Sequence, residues 1–280
     1  MRVVLITGCS SGIGEATARR LNRAGHTVYA SARRPETLAG LAAEGCRTVA
    51  LDVTDEQSML AAVRQVEQEQ GRLDVLVNNA GYGLYSPIEQ LSLAEVRRQF
   101  ETNVYGLVRL CQLVLPGMRA RRAGRIVNVS SMGGRTTLPG GGAYHASKYA
   151  VEAISDALRI EVRQFGIDVV LIEPGVVRTP WSEQALRHHA GTASDDPAED
   201  PYAEYKKAIS GSFDRAYSGP LARLSISADT VARVISRACD TPRPRPRYLI
   251  SPMARALVAA KRLLPDRAHD RFLKQQYRLP

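Results

Sequence analysis

The sequence predicts an α/β fold, a doubly wound parallel sheet of about seven strands with helices on both faces. Three observations predict it. Short apolar runs alternate with longer stretches of helical period, and such alternation builds parallel sheets through right-handed crossovers. Several runs are apolar almost throughout, as strands covered on both faces must be. A glycine-rich turn follows the first run, and helix N-termini behind such turns receive phosphate groups.

The elements follow in order. Strands are expected at "RVVLIT" (2–7), "TVYASA" (27–32), "RTVAL" (47–51), "DVLVNN" (74–79), "RIVNVSS" (125–131), "IDVVLIEP" (167–174) and "RYLIS" (247–251). Helices are expected at 13–24, 55–70, 92–122, 143–165 and 228–239, the last behind a cap at Ser227. No internal repeat or linker interrupts them, so residues 1–280 read as one domain. Two segments break the rhythm. Residues 180–226 form an insertion carrying Trp181, Tyr202, Tyr205, Phe213 and Tyr217, with an acidic, Pro- and Gly-rich middle that reads as mobile. Residues 251–280 form a basic extension, in which Ser251 can cap and Pro252 can open a helix. Met253, Leu257, Ala260 and Leu264 would give that helix one apolar face, opposite Arg255, Lys261 and Arg262.

Composition narrows the function. The net charge is +10, but residues 243–280 alone hold ten Arg or Lys against two Asp. Basicity is therefore a property of the tail, and no nucleic-acid partner is expected. A weak peripheral contact of the tail with a membrane surface stays open, although its apolar stripe packed on the domain is the simpler reading. Cys9, Cys46, Cys111 and Cys239 lie far apart and read as reduced thiols, and no metal site is expected from the five histidines. There is no signal-peptide pattern and no apolar stretch of bilayer length, so a cytoplasmic location is expected.

The chemistry sits in short motifs. "TGCSSGIG" (7–14) spaces glycines as G-x-x-x-G-x-G at Gly8, Gly12 and Gly14, between strand and helix. Such a turn lets backbone amides approach a pyrophosphate. Nineteen residues past Gly14, "SARRPE" places Ala32 where an acid would bind ribose hydroxyls, and Arg33 follows. A guanidinium there grips a 2′-phosphate, so NADP(H) is preferred and NAD(H) possible. Tyr144 and Lys148 stand one helical turn apart behind Gly140–Gly142, which would let the loop pass close to a ligand. A phenol ionises near pH 10. A neighbouring cation would lower that value and make it an acid/base group. Ser131, thirteen residues earlier at a strand end, could hydrogen-bond a substrate oxygen. The spacing recurs at Tyr202 and Lys206. That copy has no strand-end serine, so Lys206 reads as a surface charge.

"TGCSSGIG", "NNAG" (78–81), "NVSS" (128–131), "YHASK" (144–148) and "EPGVVRT" (173–179) together resemble the short-chain dehydrogenase/reductase family in its compact, one-domain Rossmann branch. The resemblance implies that Tyr144 is the proton donor and acceptor. Lys148 would lower its pKa and bind the nicotinamide ribose, and Ser131 would orient the substrate oxygen. Asn103 in "ETNVYG" would hold a water in the proton relay. Ser10, Ser11 and Ile13 would join the three glycines at the cofactor. Asp52 and Val53 would contact adenine, although Asp52 could equally cap helix 55–70. Asn79, Ala80 and Gly81 would line the cofactor, with Pro174, Gly175, Val177 and Thr179 beside the carboxamide.

The insertion lies where the family places its substrate lid. Tyr202, Tyr205, Ile209 and Phe213 recur at near-helical spacing, which suggests a lipophilic ketone, aldehyde or alcohol. "VYASARRPE" and the long C-terminus are loosely similar to steroid- and retinol-converting members. A ketoacyl-thioester (acyl-carrier-protein) reductase is the alternative, and a non-catalytic NADP-binding sensor a remoter one. A homo-oligomer, dimer or tetramer, is expected through helices 92–122 and 143–165.

Overall fold

The computed structural model describes residues 1–179, 200–217 and 225–280. Trp181 and most of the acidic stretch at 191–201 lie outside these residues. Seven strands form one sheet: β1 (Val3–Ile6), β2 (Thr27–Ala32), β3 (Arg47–Ala50), β4 (Val75–Asn78), β5 (Gly124–Val129), β6 (Ile167–Pro174) and β9 (Arg247–Ile250). Their order is β3-β2-β1-β4-β5-β6-β9, and every pairing is parallel. The seven expected strands are all present, with ends shifted by a residue or two.

The pleat divides the core. Val3 and Leu5 face one layer, packed by Met59 and Val63 of α3 (Glu56–Gln70), Leu110 and Val114 of α5 (Gly106–Ala120), and Val151 of α6 (Gly142–Val162). Val4 and Ile6 face the other, packed by Ala18 and Leu21 of α1 (Gly12–Arg23) and by Val231 and Ile235 of α8 (Ala228–Asp240). Leu5, Ile6, Leu76 and Leu171 are fully buried, and each such side chain contributes about 1.5–3 kcal/mol. A short helix, α2 (Ala39–Ala43), links β2 to β3.

Capping explains several boundaries. Ser227 accepts from the Thr230 amide and starts α8 as its sequence suggests. Asp55, rather than Asp52, caps α3 by accepting from Ser58 N. Asp52 instead accepts from the Thr54 amide and hydroxyl, at 2.9 and 2.8 Å. The expected helix 92–122 is interrupted. α4 (Leu93–Phe100) runs into a π turn at Glu101–Tyr105 before α5 begins, with Gly106 N donating to Glu101 O. Periodicity cannot see one extra residue in a turn, and such π bulges mark functional positions.

The insertion enters and leaves through a two-stranded parallel pair, β7 (Val177–Arg178) with β8 (Ile226–Ser227). Inside it lies α7 (Ala203–Tyr217). The extension forms two helices, α9 (Pro252–Leu263) and α10 (Asp266–Tyr277). Ser251 caps α9 through the Ala254 amide. Leu257 is buried on the domain as the stripe suggests, whereas Leu264 is exposed. Among the described residues no helix is long and apolar enough to cross a membrane, and no group of His, Cys, Asp or Glu could hold a metal. All four cysteines are buried and unpaired by disulfides.

Candidate active site

The sheet order reverses direction between β1 and β4, and ligands bind at such a switch point, beyond the strands' carboxyl ends. The turn after β1 is built for close approach. Gly8 and Gly12 have φ of +71° and +64°, a left-handed region that favours glycine. A Cβ on Gly8 would lie 2.9 Å from Ala80 Cα, and one on Gly14 would lie 2.2 Å from the Gly8 carbonyl oxygen. Ser11 starts α1 without a side-chain cap, whereas α3, α4, α8 and α9 are capped by Asp55, Ser92, Ser227 and Ser251. The cradle and its amides fit a pyrophosphate.

The neighbouring segments are locked onto this turn. Asn79 Nδ2 donates to the Thr7 and Gly8 carbonyls at 2.9 and 3.1 Å. Thr7 Oγ1 accepts from the amides of Asn79 and Ala80. Thr179 packs over Gly12, leaving 3.3 Å for an added Cβ. Arg33 and Arg34 are exposed at the end of β2. Among the described residues neither has an ion-pair partner, so a guanidinium faces this end of the cleft uncompensated. Val53 is buried beside Asp52.

The four expected catalytic residues converge from three elements. Ser131 lies two residues past the end of β5, where its Oγ accepts from the Gly133 amide at 3.0 Å and hydrogen-bonds Tyr144. Tyr144 and Lys148 share one face of α6, with Lys148 Nζ 6.0 Å from the Tyr144 ring centroid. Lys148 Nζ donates to the Val129 carbonyl at 2.9 Å. Gly81 brings the cofactor loop against this pair: a Cβ there would stand 3.7 Å from Lys148 Nζ and 3.0 Å from Asn103 Oδ1. Asn103, in the π turn, spends its whole amide on protein. Its Oδ1 accepts from Tyr82 N, and its Nδ2 donates to Tyr82 O and Ser147 Oγ, each at 3.0 Å.

Burial sets the proton affinities. Desolvation pushes the Tyr144 hydroxyl up to about 12, partly offset by the hydrogen bond from Ser131. The expected lowering is not seen in the protein alone, where burial decides the direction. Desolvation brings Lys148 down to about 8, against a pull upward from Glu152. The glycine run serves packing rather than ligand approach: a Cβ on Gly141 would meet His145 at 2.6 Å, and one on Gly142 would meet Ile88 at 2.6 Å. None of Gly140, Gly141 and Gly142 lines the cleft.

Every other expected site residue except Gly14 and Asn103 lines one cleft of about 1160 Å³. Those two stand directly behind its wall. The model of the short chain dehydrogenase family matches residues 2–190. The chain belongs to this family. It is thus an oxidoreductase acting on CH–OH and C=O groups, on a fold that binds a nicotinamide cofactor. It is 34% identical over 282 residues to the NADPH-dependent 3-dehydrocapnine reductase of Ornithobacterium rhinotracheale, covering 97% of this chain and 96% of that one. It is 38% identical over 280 residues to retinol dehydrogenase 8 of Bos taurus, covering 95% and 86%. A solved short-chain dehydrogenase from Streptomyces avermitilis matches with a TM-score of 0.77 at 32% identity, covering 99% of this chain and 96% of that one.

The dehydrogenase cleft also holds residues that sequence reasoning missed. Tyr85, Met132, Leu138 and His145 line it beside Phe213 and Tyr217. The Tyr85 ring lies 5.7 Å from Tyr144 and 5.0 Å from Phe213. His145 is held neutral: burial brings it down to about 4 while Nδ1 sits 3.0 Å from the Gly133 carbonyl. Its place inside "YHASK" was the available signal. Tyr85 offered none, since it follows a glycine-rich loop without periodicity.

Proposed function

We propose that the protein is an NADP(H)-dependent oxidoreductase that interconverts a lipophilic ketone or aldehyde and its alcohol, within one cytoplasmic domain. The observation that carries this reading is the junction at Tyr144. Its hydroxyl meets Ser131 where a glycine-lined half of the cleft joins an aromatic half. The relatives named for a dehydrocapnine and for retinol support a lipophilic substrate, and one of them is NADPH-dependent.

Gly8, Gly12 and the first amides of α1 would hold the pyrophosphate, with Ser10, Ser11 and Ile13 around it. Asp52 and Val53 would flank the adenine, Arg33 would bind a 2′-phosphate, and residues 79–81 and 174–179 would enclose the nicotinamide side. The bound nicotinamide supplies or accepts a hydride. Ser131 orients the substrate oxygen, and Tyr144 gives it a proton. The phenol is protonated at neutral pH and can give that proton to the substrate oxygen, and the charge on Lys148 favours the phenolate left behind. Lys148, anchored on Val129, has donors left for the ribose and keeps positive charge beside Tyr144. Asn103 would act in the relay only through its backbone, since its amide is committed to Tyr82 and Ser147.

The test is cofactor consumption with lipophilic ketones, aldehydes and acyl-thioester mimics, comparing NADPH with NADH. NADPH should win by about tenfold or more, the effect of one charge-assisted contact. Arg33→Ala should narrow that preference. Preference for NADH in the wild type would defeat the assignment of Arg33. Turnover confined to acyl thioesters would favour a ketoacyl reductase.

A further inference from the structure

The extension after β9 enters the active site twice. At its start, Ser251 has φ of +94° and presses on the loop after β6, where a Cβ on Gly175 would lie 2.6 Å from Ser251 Oγ. Ala254 and Leu257 of α9 then pack against Met132, just past Ser131. At its end, α10 lies against α7. His269 and Leu273 are buried and Tyr277 half-buried, three residues spaced by four along one helical face. The Tyr277 side chain lines the same cleft as Tyr144 and Arg33. Burial raises its hydroxyl well above the ordinary tyrosine value, with Tyr205, Tyr217 and Arg215 around it.

We infer that the C-terminal extension is the distal wall of the substrate chamber, and that Tyr277 sets how long or bulky a ketone the chamber accepts. The near wall is fixed by Tyr85 and Tyr144 on the catalytic side. Phe213 and Tyr217 of α7 form the roof, their rings stacked at 6.3 Å. Tyr277 lines the same cleft as Tyr85 and Tyr217, carried there by the packing of α10 on α7. An aromatic side chain at the far end of an apolar chamber limits length by volume. The accepted class is then a ketone whose apolar body reaches from Tyr144 to α10. The tail thereby gains a role inside the enzyme.

This inference rests on the proposed ketone chemistry, and its test separates the two. Wild type, Tyr277→Ala, Tyr277→Trp and the neighbouring exposed Gln276→Ala would be assayed with NADPH. The substrates are straight-chain methyl ketones of increasing length, with bicyclic and steroid ketones alongside. In Tyr277→Ala, kcat/KM for the longest or bulkiest ketones should rise about tenfold relative to the shortest, the scale on which added methylenes are discriminated. Tyr277→Trp should shift the ranking the other way, and Gln276→Ala should keep the wild-type ranking. Identical rankings in all four proteins would overturn the inference while leaving the ketone chemistry intact. Silence of the wild type on every ketone would instead defeat the ketone chemistry. The wall is then judged by binding of anilinonaphthalene sulfonate to the NADPH complex, where equal affinities of wild type and both Tyr277 variants would sink it.

Discussion

Tyr-x-x-x-Lys occurs twice in this chain, and the two copies carry opposite physics. In α6, Lys148 is buried with a backbone carbonyl as its hydrogen-bond acceptor and no ion-pair partner among the described residues. In α7 and the residue before it, Lys206 is equally buried, but its Nζ meets Asp200 at 2.8 Å. Asp200 also accepts from Gln90 at 2.7 Å, while the Tyr202 hydroxyl donates to Glu89 at 2.6 Å. Both lysines leave water, so the expected surface charge at Lys206 is wrong. One is paired for stability, and the other is left underpaired beside a phenol. Spacing alone cannot tell them apart; the groups brought from elsewhere in the fold do. A buried cation without a carboxylate costs stability and is retained where it has chemistry to perform.

The sharpest break between the copies is removal of the phenol. Tyr144→Phe should lower kcat by about a hundred- to ten-thousand-fold, the usual range for a general acid. The NADPH dissociation constant should stay close to the wild-type value. Stopped-flow cofactor oxidation and fluorescence titration read the two quantities. Loss of cofactor affinity together with kcat would mean that the hydroxyl serves binding instead.

Much of this site is legible in the sequence because its parts are local. The glycine turn, "NNAG" and "YHASK" each lie within one strand end or helix start, and a one-residue reading places them. The seven strands were legible for the same reason, since burial on both faces leaves near-continuous apolar runs. What was hidden depends on contacts between distant segments. Asp200, six residues from Lys206, is also held by Gln90, 110 residues away in the chain. Asn103 turns inward through a π turn that periodicity averages away. Tyr277 reaches the cleft because the second tail helix, α10, packs against α7. The direction of the Tyr144 shift was hidden too, since spacing reveals the cation but not the water excluded around it.

Lys148→Met sharpens the contrast through pH. Burial holds Lys148 at about 8, below the ordinary lysine value of 10.5. It is therefore charged below pH 8 and neutral above. The proposed reduction should lose rate as pH rises past about 8, and Lys148→Met should be slower by about ten- to hundredfold with that limb gone. Survival of the limb in the variant would assign it to another group. Stability runs the other way. Between about pH 8 and 10.5 the unfolded chain keeps a proton that the folded one releases, so this group's contribution to stability rises with pH across that window. Below it, the wild type bears a buried ammonium that Met does not. Lys148→Met should then melt higher than wild type at pH 7 while turning over poorly, a trade of stability for function.

Lys206→Met tests the other copy and should reverse the stability sign while sparing turnover. It leaves Asp200 buried beside Gln90 without its cation, and breaking a buried pair from one side strands a charge. The melting temperature should fall, while kcat with short ketones stays within about twofold, because neither Lys206 nor Asp200 lines the cleft that holds Tyr144. Asp200 is held down to about 2, chiefly by the hydrogen bond from Lys206. Its stabilisation is thus present above the ordinary carboxylate range and lost as pH falls toward 2, and Lys206→Met should weaken that acid dependence. Tyr202→Phe removes only an exposed hydroxyl bond to Glu89, so its melting shift should be the smallest of the set. A fall in kcat for Lys206→Met as deep as that of Lys148→Met would erase the distinction between the copies. The lid anchor would then belong to the catalytic machinery, with closure of α7 over Tyr144 as the step it controls.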